Sequence, residues 1–162
     1  EPMEALTERI NESCLLGILR NYKRFILHNV NCNQDIQVQI RSERNVYETA
    51  SGRLLVAYLS EKERERFLQY NGLPNESIWE VASTLDGLVA ELYKIRLSGI
   101  AMTNFSHTHL VGFAVPIHAN GKVIAGLSVF LPEYRCTEAR SLEITASLKE
   151  TASNIEVIYQ KQ

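Results

Sequence analysis

Asn120-Gly121 lies between two long apolar runs, Leu110–Ile117 and Lys122–Leu131. An Asn-Gly pair in that setting is the strongest short-range sign of a β-hairpin. Along the second run Val123, Ala125, Leu127, Val129 and Leu131 fall on one face, and Ile124, Gly126, Ser128 and Phe130 on the other. Both faces are largely apolar, so both have to be covered. Pro132 ends that strand. A chain built around this hairpin needs a sheet with material packed on each side of it.

The rest of the chain supplies the other elements. Met3–Ser13 is rich in helix formers, with Leu6 and Ile10 four apart, and reads as a short helix. Leu15–Leu19 and Phe25–Val30 flank Asn21-Tyr22 as a second hairpin, and Ile36–Ile40 alternates apolar with polar as a third strand. Thr49 or Ser51 can cap a helix over Ala50–Leu59. Ser60 and Glu63 form a capping box for a helix that Asn71-Gly72 stops. Ser77 and Glu80 form another, for a long helix that Ser98-Gly99 closes. A short strand follows at Gly99–Thr103. Thr137 caps a final helix whose apolar residues Leu142, Leu148, Ala152, Ile155 and Tyr159, with Thr145, recur at helical steps. Strand groups separated by a helical block predict an α+β domain with a mostly antiparallel sheet.

Composition narrows the function. At 162 residues, with 45% hydrophobic and 22% charged residues, the chain is the size of one ordinary globular domain and shows no linker or repeat. The net charge of −2 gives no pull toward nucleic acid, and the basic residues of Glu61–Phe67 are cancelled by Glu61, Glu63 and Glu65. No apolar run approaches the ~20 residues that span a bilayer, and no signal pattern opens the chain, so a cytoplasmic setting without a membrane partner is expected. Cys14, Cys32 and Cys136 are too few and too scattered for a disulfide framework and read as reduced packing residues. The chain opens at Glu1, with its first methionine at Met3, as an excised piece of something longer would.

No motif of catalysis is present in its usual form. Ala50-Ser51-Gly52 is not a nucleophile elbow, and neither a phosphate-binding loop nor a dinucleotide fingerprint occurs. His107-Thr108-His109 offers half a zinc site, but no third ligand lies nearby in sequence, so both histidines, like His28 and His118, read as turn residues. No metal, cofactor or enzymatic activity is expected. Two features point to small-molecule binding instead. Thr49-Ala50-Ser51-Gly52 opens a helix, where free amides and the helix dipole attract a carboxylate, and Gly52 permits close approach. The small residues Gly112, Gly126 and Ser128 on a covered sheet face allow a cavity beside them, or simply a helix lying close.

Four segments, in register, resemble the ligand-binding half of IclR-type bacterial transcription regulators. Tyr47–Leu59 (YETASGRLLVAYL) is similar to the family's H-A-T-A-S-G-K-A-L-L-A-x-L. Glu91–Ala101 (ELYKIRLSGIA) is similar to E-L-x-x-I-R-x-x-G-Y-A. Val111–Ile117 and Gly121–Val129 resemble its A-x-P-I…G-x-V-x-A-A-L-S-V hairpin. The resemblance covers residues 45–160 well and the first 40 by element order. It implies a GAF-like, profilin-like fold, an antiparallel sheet flanked by helices on both sides. The implied role is a small-molecule effector-binding and oligomerisation domain, a homodimer or homotetramer, with DNA read by an N-terminal winged helix-turn-helix absent from residues 1–162.

By position the resemblance places the anion-holding helix start on Ala50, Ser51 and Gly52, a pocket polar residue on Thr103, and pocket walls on Gly112, Ser128 and Phe130. The effector implied is a small organic acid. Several positions depart from the family. Phe130 stands where members sensing small keto acids carry a second small polar residue, Gly112 replaces a bulkier side chain, and Thr103 cannot ionise. Phe105–His109 stands where Glu-Glu and Gly are usual, and Cys14–Ile40 is short. The cavity is therefore expected to be reshaped, with an aromatic wall able to stack on a planar ligand. The competing expectation is an oligomerisation module that binds no ligand because Phe130 fills the pocket.

Overall fold

The computed structural model describes residues 1–41, 44–105 and 107–161. Five strands, β1 (Cys14–Arg20), β2 (Lys23–Val30), β3 (Ala101–Phe105), β4 (Leu110–Ala119) and β5 (Lys122–Pro132), form one antiparallel sheet in the order β2-β1-β5-β4-β3. Five helices surround it: α1 (Pro2–Ile10), α2 (Ala50–Ala57), α3 (Glu61–Asn71), α4 (Leu85–Ser98) and α5 (Glu138–Gln160). The α+β reading and the antiparallel sheet with helices on both sides hold.

The two-faced hairpin is the centre of the molecule. Val111, Phe113, Val115 and Ile117 of β4, with Ala125, Leu127, Val129 and Leu131 of β5, pack under α1 and α5 in one apolar cluster. On the opposite face Ala114 of β4 and Ala101 of β3 join Ala50 and Leu54 of α2, Phe67 of α3 and Leu88 and Leu92 of α4 in a second. Both two-residue hairpin turns hold their central residues at positive φ: 51° and 62° at Asn21 and Tyr22, 51° and 73° at Asn120 and Gly121. That backbone twist matches the twist of the strands it joins. The buried carboxylate of Glu12 takes two hydrogen bonds of 2.8 Å from Arg135, tying the exit of α1 to the segment before α5.

Three expectations are corrected. Residues 36–40 form no strand, so the sheet has five strands rather than six. Val38 and Ile40 are half-buried and Gln37 and Gln39 exposed, so the alternation holds over 37–40 but not at the exposed Ile36, and the chain crosses as a strap without a ladder partner. Ser77 does not open a helix. Asn75 Oδ1 accepts from the Ser77 amide (2.9 Å) and hydroxyl (2.8 Å), a local turn that competes with helix formation. The helix starts eight residues later, at Leu85, where Thr84 Oγ1 accepts from Gly87 N at 3.1 Å. On α5 the buried stripe runs through Ile144, Leu148 and Ala152, while Leu142 and Tyr159 face solvent.

The entries to α2 and α4 are copies of one device. Val46–Glu48 and Glu80–Ala82 each form a 3₁₀ turn, followed by a capping threonine (Thr49, Thr84) and a glycine three residues on (Gly52, Gly87). A Cβ on Gly52 would overlap the Val46 carbonyl oxygen, and one on Gly87 would overlap that of Val81. The spacing is V-x-x-T-x-x-G in both places. α2 is locked further by Arg53, whose Nε donates to the Tyr47 carbonyl (2.7 Å) and Nη2 to that of Ile78 (3.1 Å), with the guanidinium 4.0 Å from the Trp79 ring centroid. At the other end Arg96 Nη1 donates to the Ala57 carbonyl at 2.7 Å, a cation at a helix C-terminus. Gly52→Ala and Gly87→Ala should each cost about 1–3 kcal/mol in urea unfolding, as overpacking does. Thr49→Ala should cost about 1 kcal/mol, the ordinary value of a cap. A glycine variant as stable as wild type would contradict the close approach.

Candidate functional site

The strand register assembles most of the expected pocket residues on the face below α2. Thr103 of β3 pairs with Gly112 of β4, which pairs with Phe130 of β5, so the three form one row across the sheet. Ser128 lies on the next row, between Ala114 of β4 and Leu15 of β1. Gly126, on the same face, fits against Leu54 and Leu55 of α2. Thr103, Ser128 and Phe130 are all buried.

This face is filled rather than hollow beside Phe130. A Cβ on Gly112 would stand 2.6 Å from Thr103 Oγ1 and 2.9 Å from Phe130 Cε1, distances side-chain carbons do not tolerate. The Phe130 ring therefore takes the space that a larger residue at 112 would occupy, and the two departures from the family pattern compensate each other. The gap left between Phe130, Leu15, Arg24 and the 38–41 strap is about 10 Å³, room for about one water molecule. Much wider grooves exist elsewhere, among them one of about 850 Å³ between α3 and α4, but they lie away from these residues.

The start of α2 behaves differently from its expected role. Thr49 Oγ1 accepts from Gly52 N at 3.0 Å, and the Ser51 hydroxyl donates to the same oxygen at 3.5 Å. The missing side chain of Gly52 makes room for the Val46 carbonyl, so the glycine is required by the fold itself. Ala50 and Ser51 keep the first-turn amides, which have no acceptor inside the helix. Ala50 packs with Ala101 and Ala114, which seats the helix start over β3 and β4.

Two groups stand out that the sequence reading did not single out. Arg24 is inward on β2, 5% exposed, and its Nη2 donates to the Arg41 carbonyl at 2.5 Å. Burial, helped by the charge of Arg44, pulls its pKa down to about 10. The signal was its parity: Leu19 pairs with Arg24 and Gly17 with Ile26, which places Arg24 on the α2 side of the sheet. Reading that parity needs the hairpin register and the bulge between Leu16 and Gly17. Arg53 is likewise pulled down to about 10 by burial, and lies 5.3 Å from the Phe105 ring centroid as well as over Trp79.

His107 and His109 lie in a surface turn, but His28 lies within β2 and His118 within β4, where its Nδ1 is 2.9 Å from Glu156 Oε1, so the turn reading fails for these two. His109 Nδ1 is 3.5 Å from Glu133 Oε2, exposed, and His107 stacks edge-on against Phe105. Ser106, inside that segment, lies outside the described residues. The Cys14 and Cys32 thiols contact the Thr7 and Ser13 hydroxyls at 3.3 and 3.4 Å, as packing residues do. Among the described residues no helix is long and apolar enough to cross a membrane.

Comparison with known proteins gives the same result from several directions. The family model of the bacterial transcriptional regulator IclR C-terminal domain matches residues 1–157. The HTH-type transcriptional regulator KdgR of Dickeya chrysanthemi is 27% identical over 157 residues, which cover 94% of this chain and 51% of that protein. The chain thus spans about half the length of this relative. The crystal structure of the C-terminal domain of Escherichia coli KdgR superposes with a TM-score of 0.79 at 27% identity, covering 96% of this chain and 92% of that one. An IclR homologue from Microbacterium hydrocarbonoxydans, complexed with 4-hydroxybenzoate, superposes at 0.81 with 25% identity, over 99% of this chain and 66% of that one. These relatives are transcriptional regulators rather than enzymes, in line with the absence of a catalytic motif. The chain belongs to the C-terminal domain family of IclR-type bacterial transcriptional regulators.

Proposed function

We propose that the chain is the effector-binding and oligomerisation domain of an IclR-type regulator and that its effector is a small carboxylic acid. The acid lies between the start of α2 and the sheet, with Ala50, Ser51 and Gly52 at its mouth and Thr103, Gly112, Ser128 and Phe130 as its walls. The observation that carries this reading is Ser128. Its hydroxyl is fully buried on the α2 side of the sheet and has no hydrogen-bond partner among the described residues. An unsatisfied buried hydroxyl costs roughly 1–3 kcal/mol, a cost that a ligand oxygen removes. The likeness to a homologue complexed with 4-hydroxybenzoate supports an aromatic acid, for which Phe130 is a stacking surface.

With about 10 Å³ free beside it, Phe130 has to leave Gly112 for a ligand to enter. Binding then selects a rearranged face, and this is how it biases a dimer or tetramer in the cytoplasm. A typical coupling of ~1–3 kcal/mol passes to a DNA-reading domain elsewhere in a longer protein. A second reading is favoured by the same ring: a domain whose pocket Phe130 has closed for good, serving as an oligomerisation module without a ligand.

Thermal-shift measurement with 4-hydroxybenzoate, benzoate and short aliphatic acids separates the two. Wild type should melt several degrees higher at a ligand concentration of 100 times Kd, where linkage supplies about 2.7 kcal/mol. Ser128→Ala should weaken binding about tenfold yet leave the ligand-free protein as stable as wild type or slightly more so, because an orphaned hydroxyl is removed. No shift with any acid at millimolar concentration, together with a stable oligomer by mass measurement, would favour the closed module. Phe130→Ala should destabilise the ligand-free protein by about 3–5 kcal/mol, and a small loss would show that the ring is not packed on Gly112. The Gly112→Ala penalty should shrink markedly in the presence of Phe130→Ala, the coupling expected of residues in contact.

A further inference from the structure

Buried polar atoms without a hydrogen-bond partner among the described residues occur on two side chains, Ser128 and Arg24, the latter through Nε and Nη1. Both lie on the α2 face of the sheet, by the pairings Leu15 with Ser128 and Leu19 with Arg24. A serine hydroxyl left unpaired is a modest loss. A guanidinium is a permanent cation, and burying one without a counter-charge is far more costly. Arg44 adds a second positive charge beside Arg24, Arg41 meets it through its backbone carbonyl, and no carboxylate is among the described residues that line this small gap. The remaining walls are the apolar Leu15, Phe130, Val38 and Ile40, with the neutral Gln39. A buried, under-paired cation walled by an aromatic ring and aliphatic side chains is complementary to an organic anion and to little else.

We propose that Arg24 is the charge-recognising residue of the effector site. Its guanidinium takes the carboxylate, the apolar body of the acid lies against Phe130 and Leu15, and the Ser128 hydroxyl and the α2 amides take an oxygen at the other end. This rests on the effector reading above and refines it, because the full positive charge comes from the edge strand β2 and not from the partial charge of a short helix. The ligand class that follows is an acid with an apolar body and a second oxygen function, such as a hydroxybenzoate. A fully hydrophilic acid of two or three carbons leaves Phe130 and Leu15 without a partner.

Calorimetric titration of wild type, Arg24→Met and Arg24→Lys with 4-hydroxybenzoate and with neutral 4-hydroxybenzamide tests this, alongside melting of each protein without ligand. Wild type should prefer the acid. Arg24→Met should lose acid affinity on the order of 10- to 100-fold while holding the amide as wild type does, and Arg24→Lys should lose less. Without ligand, Arg24→Met should melt close to the wild-type temperature, since losing the bond to the Arg41 carbonyl is offset by no longer burying an under-paired cation. An Arg24→Met protein that binds the acid as wild type does would overturn the assignment of Arg24 and leave the effector reading standing. A ligand-free Arg24→Met melting several degrees lower would also overturn it, by showing that the guanidinium is held by the fold. Binding of neither compound to wild type would overturn both readings together.

Discussion

Strands β4 and β5 are apolar on both faces, and everything else in the domain is arranged to cover them. One face is closed by α1 and α5 through large aliphatic and aromatic side chains, Phe113, Leu127, Leu131, Ile144 and Leu148 among them. The other face carries small residues, Gly112, Ala114, Gly126 and Ser128, and these let α2 come down onto the sheet. A closely laid helix needs an entry as compact as its seat. The 3₁₀ turn, capping threonine and side-chain-free Gly52 provide it, at the one spot where a Val46 carbonyl fills the place of a Cβ. The position of the candidate site is a consequence of that asymmetry between the two faces.

Much of this was legible in the sequence because it rests on local chemistry. Asn120-Gly121, the Ser60–Glu63 capping box, Thr137 and Pro132 each act within a few residues of themselves, and each does in the structure what its type predicts. The failures are places where a pattern was shared with a competing local or distant arrangement. Ile36–Ile40 has the period of a strand, yet period two reports half-burial and extension, which a strap satisfies without a ladder. Ser77-x-x-Glu80 has the letters of a capping box. Its backbone is diverted by Asn75 and held by Arg53, which takes the Ile78 carbonyl and stacks on Trp79. The true start at Thr84 was marked by the same V-x-x-T-x-x-G spacing that precedes α2, a repeat visible once one copy has been understood.

The site was legible to a lesser degree and for the same reason. The resemblance put Thr103, Gly112, Ser128 and Phe130 together, and the register unites them on one face. It did not foresee that the Phe130 ring would rest on Gly112, because that contact compensates two departures at once across a strand pair. Gly52 was read as an opening for a ligand, while its conformational role is already taken up by the helix entry. Arg24 went unnoticed because an arginine between Lys23 and Phe25 looks like surface until the hairpin turn, the bulge at Leu16–Gly17 and the strap over it turn it inward. Charge burial is a property of tertiary packing that the sequence around Arg24 does not announce.

The proposed effector site rests on the closed ring over Gly112 and on the two under-paired polar side chains, Ser128 and Arg24, on the same side of the sheet. Fluorine NMR of protein carrying fluorinated phenylalanine, with the Phe130 resonance assigned through Phe130→Leu, observes that ring directly during a titration with 4-hydroxybenzoate. An effector site gated by Phe130 predicts a saturable displacement of that resonance that follows the occupancy measured by calorimetry. A Phe130 signal that stays fixed while the acid binds, or while millimolar acid fails to bind, would contradict it and leave this face as packing alone.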